Sequence, residues 1–241
     1  MVTGGSRGIG AAVARMAAAQ GYQVVINYVS DAASADTLKH DIEEQGGKVT
    51  TVQGDVSAAE DVERIFAAVD DCDGYLAGLV NNAGIVGQVS EFTEYTTERL
   101  RRTFEVNILG AFLCARAALQ RMVAHGKGAS IVNMSSAAAR IGSPHEFVDY
   151  AASKGALDTM TLGLAKEFGP QAIRVNAVRP GIIRTEIHAA AGDPERVERF
   201  AAQVPLRRAG DADEVADTVM WLLSDASSYV TGALIDVTGG R

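Results

Sequence analysis

Short runs rich in β-branched residues alternate along this chain with longer, Ala-rich runs of helical period, and that alternation excludes most architectures. The spacing predicts strands over residues 24–27, 48–53, 78–81, 129–134, 173–178 and 233–237. Helices are predicted between them, over 8–20, 32–45, 58–71, 97–124, 150–168 and 211–223. Strands joined by helices of that length pair in parallel, because a parallel neighbour needs a crossover that no hairpin can supply. Right-handed crossovers then wind the helices onto both faces of one sheet. No Pro/Gly/Ser-rich linker, charge block or internal repeat divides the chain, so residues 1–241 are expected to form a single α/β domain. The first strand is anomalous. It should lie at the centre of the sheet, yet only Met1-Val2-Thr3 precedes a glycine turn, where a strand normally runs about five or six residues.

Composition narrows the function. The formal net charge of −8 disfavours a nucleic-acid partner, since phosphate contacts require a basic surface. No uninterrupted apolar run reaches the length of a membrane span, and the N-terminus shows neither a basic leader nor an apolar core. Cys72 and Cys114 are too few and too isolated for a disulfide framework or a metal cluster, which fits reduced thiols in a cytoplasmic protein. His40, His125, His145 and His188 show no metal-ligand spacing and read as surface residues, so no metal site is expected.

The turn Thr3-Gly4-Gly5-Ser6-Arg7-Gly8-Ile9-Gly10 follows the first strand and opens an apolar helix carrying Ile9, Val13 and Met16. Glycines at 4, 8 and 10 permit a tight turn and let backbone N–H groups and the helix N-terminus approach a pyrophosphate. The strand–turn–helix setting is the context such a motif requires. The second strand ends in Asn27, where an acidic residue would chelate the ribose hydroxyls of NAD. A neutral Asn27, with Arg7 in the glycine turn able to face a 2′-phosphate, favours NADP(H). Asp31 falls past the strand tip and is the weaker candidate for the missing acid. Asp55-Val56 after the third strand fits an adenine contact, and Asn81-Asn82-Ala83-Gly84 after the fourth fits the ribose side, or serves as plain turn chemistry.

Tyr150 and Lys154 stand four apart in a predicted helix and so share one face. An ammonium beside a phenol favours the phenolate and lowers the tyrosine pKa from about 10. Tyr150 is therefore a candidate general acid/base for a carbonyl or an alcohol.

With these pieces in order, the chain resembles the short-chain dehydrogenase/reductase family over essentially its whole length. The resemblance rests on the turn at residues 3–10, Asp55-Val56, Asn81-Asn82-Ala83-Gly84, Asn107, Ser135-Ser136, Tyr150-x-x-x-Lys154 and Arg179-Pro180-Gly181. It implies a Rossmann-like, doubly wound domain with a seven-stranded parallel sheet, often tetrameric, moving hydride between NAD(P) and a carbonyl or alcohol. Position by position it makes Tyr150 the proton donor in reduction. Lys154 would bind the nicotinamide ribose and lower the Tyr150 pKa. Ser136, rather than Ser135, would hold the substrate oxygen. Asn107 would keep the middle helix open for a proton-relaying water. Pro180, Gly181, Ile183 and Thr185 would hold the nicotinamide carboxamide and the pyrophosphate. One departure is visible: the 137–149 loop runs a residue longer than the commonest form, and the serine-to-tyrosine geometry must absorb it.

Residues 186–210, of mixed character, should form a lid, with substrate identity residing there and in 85–92 and 140–148. His145 and Glu146 read as solvated loop residues. The 3-oxoacyl-carrier-protein reductases of the family resemble the chain in its cofactor half. Lys127 could meet an acidic carrier, but Gln171 stands where a second basic residue is often found, and a small carbonyl, sugar or polyol is as plausible. Apolar helix surface over 108–119 and 150–164, with the closing segment 229–236, suits a homotetramer. A non-catalytic NADP-binding regulator is the reading from another class, and the presence of both Tyr150 and Lys154 weighs against it.

Overall fold

The computed structural model describes residues 1–241, the side chains of His188 and Ala190 excepted. Strand β1 (Gln23–Tyr28) pairs in parallel with β2 (Lys48–Gln53). On the other side β3 (Gly78–Asn81), β4 (Ala129–Met134), β5 (Ile173–Pro180) and β6 (Leu234–Val237) follow one another, all parallel. Val2 joins the two groups, bridged to Ile26 on one side and to Val80 on the other. Its amide donates to Val25 O at 2.9 Å, and Val80 N donates to Met1 O at 2.9 Å. The sheet therefore runs β2-β1-Val2-β3-β4-β5-β6, with the expected seven positions. The central position is filled by one bridging residue, because the chain turns away at Gly4 after making the ladder bonds that Met1–Thr3 can reach.

Strand periodicity sorts the core. Successive residues point to opposite faces, so Leu79 and Ile131 join one buried cluster while Val80 and Val132 join the other. The first face is covered by α3 (Ala59–Asp70), α5 (Ala111–His125) and α7 (Val148–Phe168). The second is covered by α1 (Gly8–Ala19), α2 (Ala32–Glu44) and α10 (Ala212–Leu223). Small residues on α1 (Ala11, Ala14, Ala17, Ala18) bury fully and let the helix lie close to the strands.

The single helix predicted over 97–124 is in fact three pieces. They are α4 (Thr97–Phe104), a π-helical stretch Glu105–Gly110, and α5. The wide turn coincides with a close approach. A Cβ on Gly110 would stand 2.7 Å from Val56 Cγ2, and Asn81 Nδ2 donates to Ala111 O at 2.9 Å. By length and composition the whole Thr97–His125 rod could cross a bilayer; here half of its apolar window is buried, with Cys114, Ala118, Leu119 and Met122 against β3, β4 and α3. Leu109, Phe112 and Leu162 remain exposed on the outer faces of this rod and of α7. A short helix, α6 (Ala138–Ile141), falls where a loop was expected, and the mixed 186–210 segment holds two more, α8 (Ile187–Ala190) and α9 (Arg196–Ala201).

Candidate active site

All the parallel strands end at one edge, and there a cleft of about 520 Å³ opens. Every site residue predicted from sequence lines it except Gly10, Asn107 and Asn81, the last of which is buried and bonds Ala111 O and Asn133 Oδ1 instead. Gly10 lies beneath the glycine turn, where a Cβ would sit 2.6 Å from Asn82 Nδ2 and 2.7 Å from Gly4 O. Asn107 stands behind Lys154.

The glycine turn is held by polar side chains from neighbouring strand ends. Thr3 Oγ1 accepts the amides of Asn82 (3.0 Å) and Ala83 (2.9 Å), while Asn82 Nδ2 donates to Thr3 O (3.0 Å) and Gly4 O (2.9 Å). Gly4 and Gly8 take φ of +58° and +55°, which side chains rarely adopt. Arg7, the N-cap of α1, makes no side-chain cap, and the first turn holds no acid. The bare turn and the uncapped amides of α1 fit the pyrophosphate of a nicotinamide dinucleotide. Ser6, Gly8, Ile9 and Thr185 border that spot, Thr185 lying 3.4 Å from where a Gly8 Cβ would be. Pro180, Gly181 and Ile183 form the wall nearer the chemistry.

Asn27 lines the cleft and also has a structural task. Its Oδ1 accepts from Gly4 N at 3.3 Å and its Nδ2 donates to Gly54 O at 2.8 Å, so the buried amide is a strut between the turn and β2. A carboxylate there would face the Gly54 carbonyl unprotonated, which accounts for a neutral residue without reference to the cofactor. Asp31, set aside from sequence, does line the cleft. It caps α2 through Ser34 N (3.0 Å), which holds its carboxyl below the usual range, and lies 3.7 Å from the Arg7 guanidinium. Arg102 was not foreseen. It donates to Asp55 Oδ2 at 2.7 Å and to Ser57 Oγ at 3.0 Å, from a helix predicted only as scaffold.

At the chemical end Lys154 Nζ lies 5.5 Å from the Tyr150 ring centre, on the shared face expected of an i,i+4 pair. The predicted lowering of the Tyr150 pKa is not what this arrangement produces. Burial pushes the phenol up, outweighing the Ser136 hydrogen bond, which favours the phenolate. Lys154 is itself buried, donates to Met134 O at 2.7 Å, and is lowered by desolvation from 10.5 to about 8.

The two serines differ in partner. Ser135 is buried and donates to Lys154 O at 3.2 Å, whereas Ser136 is half-buried, reaches Tyr150 and accepts from Ala138 N at 3.1 Å. The longer loop is absorbed by α6 and by the left-handed Ser143 (φ 45°) and His145 (φ 64°). Asn107 is fully buried. Its Oδ1 accepts Ile85 N at 2.8 Å and its Nδ2 donates to Ile85 O at 2.9 Å and Ser153 Oγ at 3.0 Å, within the π-helical stretch. A Cβ on Gly84 would touch both Lys154 Nζ (3.2 Å) and Asn107 Oδ1 (3.4 Å), which keeps that position small.

Beside Tyr150 lies a buried ion pair that the sequence reading missed. Arg99 Nε donates to Asp149 Oδ2 at 2.8 Å and its Nη2 to Asp149 Oδ1 at 3.0 Å, with the guanidinium stacked 3.6 Å over the Tyr95 ring. Glu146, expected in solvent, is clasped by Arg196 through two 2.6 Å bonds. This ties α9 of the 186–210 segment to the loop before Tyr150. That segment packs Val197, Val204 and Ala209 with Ile182 in a small core, and Val89 N donates to Ala191 O at 3.3 Å from the opposite wall. His145 is exposed beside Glu91, His40 pairs with Glu44, His125 meets Leu76 O, and His188 lies outside the described residues. Lys127 and Gln171 precede β4 and β5, so they sit at the sheet edge away from this cleft.

Residues 4–241 match the family described as enoyl-(acyl carrier protein) reductase. The chain is 49% identical over 243 residues to the uncharacterized oxidoreductase YgfF of Escherichia coli (strain K12), covering all of this chain (100%) and 98% of that one. It is 37% identical over 240 residues to glucose 1-dehydrogenase 2 of Bacillus subtilis (strain 168), covering 100% of this chain and 93% of that protein. A crystal structure of a short-chain type dehydrogenase/reductase from Mycobacterium marinum superposes with a TM-score of 0.93 at 33% identity, over 99% of this chain and 93% of that one. A serine, a tyrosine and a lysine at one end of a strand-edge cleft, a glycine turn at the other, and relatives matched from end to end lead to one assignment: the chain belongs to the short-chain dehydrogenase/reductase family.

Proposed function

We propose that the chain is an NADP(H)-dependent oxidoreductase that interconverts a carbonyl and a secondary alcohol, with Tyr150 as general acid/base. The observation that carries the reading is the convergence of Ser136 and Lys154 on Tyr150 in the cleft that the glycine turn closes. A bound nicotinamide supplies or takes the hydride; the chain's own groups manage the oxygen and the proton. In reduction, negative charge develops on the carbonyl oxygen, and the Ser136 and Tyr150 hydroxyls are placed to donate to it, favouring the transition state over the ground state. Tyr150 gives its proton to that oxygen and becomes a phenolate. The buried Lys154 ammonium stabilises that phenolate and, backed by Asn107 across Gly84, returns a proton. A raised resting pKa suits the acid role, since the proton is held until the oxyanion forms. Residues 1–241 act as one unit, with 186–210 as the lid tied down by Arg196.

Tyr150→Phe removes the transferable proton and preserves the ring. Turnover is expected to fall by about 10²–10⁴-fold while NADPH fluorescence titration still reports binding; near-normal turnover would sink the mechanism. The exposed Leu109, Phe112 and Leu162 support a homotetramer, against which a stable monomer in light scattering would count.

A further inference from the structure

The substrate end of the cleft is framed by 85–92, 140–148 and the 186–210 lid, and the first two meet the helix of Tyr150 at the guanidinium of Arg99. Arg99 stands on α4 and finds an acceptor for each of its five N–H groups. Nη1 donates to Gln88 O at 2.6 Å and to Ser90 Oγ at 2.8 Å. Nη2 donates to Glu146 O at 3.3 Å and to Asp149 Oδ1 at 3.0 Å, while Nε donates to Asp149 Oδ2 at 2.8 Å. The Tyr95 ring centre lies 3.6 Å from the guanidinium carbon, and the Tyr95 hydroxyl donates to the same Glu146 O at 3.0 Å. Gly87 approaches so closely that a Cβ there would stand 2.5 Å from Arg99 Nε and 2.7 Å from Cζ.

Neutralising Asp149 takes two of these five bonds, and an ammonium would do that as well. The other three reach acceptors on the two walls, which requires a planar fork with donors aimed in several directions. The residue after Asp149 is Tyr150, and the lid rests on the same two walls, through Val89 N to Ala191 O and through Arg196 to Glu146. Arg99 itself does not line the cleft. We propose that Arg99 is a positioning residue for the reaction at Tyr150: by tying 85–92 and Glu146 to Asp149, it fixes the phenol against the substrate walls and the lid. The proposal rests on the oxidoreductase reading of the same cleft and adds to it a residue that acts through Tyr150.

The test separates the fork from the charge. Arg99→Lys keeps a counter-charge for Asp149 and loses the fork. Gly87→Ala keeps both charges and thrusts a methyl group into the guanidinium. Arg99→Met/Asp149→Leu removes both charges, which restores much of the stability that one removal costs but not the tether to the walls. The three variants are compared with wild type, as whole chains, by NADPH oxidation with diacetyl, phenanthrenequinone and cyclohexanone at a temperature where melting shows each to be folded. In all three, kcat is expected to fall by about ten- to a hundredfold, the scale of an ångström of misplacement at a reacting group, while KM for NADPH stays close to wild type. Wild-type turnover in any of them would overturn the proposal. So would an equal loss of NADPH affinity, which general loosening of the domain would give. Either result leaves the oxidoreductase reading standing, because wild type still reduces the carbonyl. If wild type reduces none of the compounds, that reading fails, and amide hydrogen exchange decides on the clamp. Faster exchange across both 85–92 and 144–150 in Gly87→Ala, with 3–10 unchanged, supports it; an unaltered pattern ends it.

Discussion

At the glycine turn the cleft is held by neutral groups, Thr3, Asn27 and Asn82 bonding to backbone across adjacent strand ends. At the substrate end it is held by charged pairs, Arg99 with Asp149 and Arg196 with Glu146, each joining residues 50 apart in sequence. Amides and hydroxyls satisfy buried carbonyls and amides without adding net charge, so the turn keeps its N–H groups aimed outward at an anionic ligand. Ion pairs do something else: they fasten mobile connections to a helix that carries the reacting group. The two constructions should therefore fail differently.

Arg99→Met gives the largest expected stability effect. The Asp149 side chain is wholly inaccessible and that of Arg99 only 14% exposed, so removing the cation leaves a buried carboxylate uncompensated. Breaking such a pair from one side costs about 3–5 kcal/mol, and replacing both partners by apolar residues recovers much of it. Thr3→Val at the other end strips the Asn82 and Ala83 amides of their acceptor, a loss of about 1–3 kcal/mol. Urea unfolding of both variants reads the contrast directly. If Thr3→Val cost as much as Arg99→Met, the distinction between a neutral and a charged construction would have no energetic content.

Lys154 sharpens the comparison because its charge is buried without a carboxylate in contact. Desolvation brings its pKa from 10.5 down to about 8. Between those values the unfolded chain binds more protons than the folded one, so stability rises as pH increases through that window. Below about pH 8 the burial cost is fully present, on the order of 3 kcal/mol. Lys154→Met should therefore be more stable than wild type at neutral pH, by less than that cost because Met134 O loses its donor, and the advantage should shrink toward pH 10.5. Denaturant unfolding of both proteins across that range decides; parallel pH profiles would show that the buried charge costs nothing. Activity is expected to fall in the same variant, a trade of stability for function at a site that needs a cation.

The same division explains what could be read from sequence. Strands, covering helices and the Tyr150–Lys154 face follow from local period and spacing. So does the glycine turn, whose positive-φ positions must be glycines. The π-helical stretch at Asn107 is not legible from periodicity, since nothing in Glu105–Gly110 breaks helical period, and only the family resemblance pointed to an open helix there; it coincides with a tertiary approach of Val56 to Gly110. Arg99 and Arg196 were unreadable for a related reason. Their partners are fixed by packing between distant segments, and a lone arginine on a polar helix face looks like a solvated one. Asn27 shows the converse hazard. Its place in the cleft was legible and its bonds to Gly4 and Gly54 were not, because a strand-end amide can serve backbone groups as readily as a ribose.

The smallest expected stability effect belongs to Arg7. Its side chain is 59% exposed and stands 3.7 Å from Asp31, itself 36% exposed. Pairs of this kind contribute about 0–1 kcal/mol, so Arg7→Ala should unfold within that margin of wild type. Its effect on cofactor choice should be larger. A guanidinium freed from a weak partner can pair with a 2′-phosphate, and losing one charge-assisted hydrogen bond costs about 1.5–3 kcal/mol, or roughly tenfold or more in kcat/KM. Wild type is thus expected to prefer NADPH to NADH and Arg7→Ala to lose most of that preference. Asp31 supplies the opposing pull, because a carboxylate lining the cleft disfavours a phosphate beside it and is the group that would accept ribose hydroxyls. If NADH is preferred, Asp31 governs this end of the cleft. The neutral struts behind it would then be indifferent to cofactor, as their bonding to backbone alone implies.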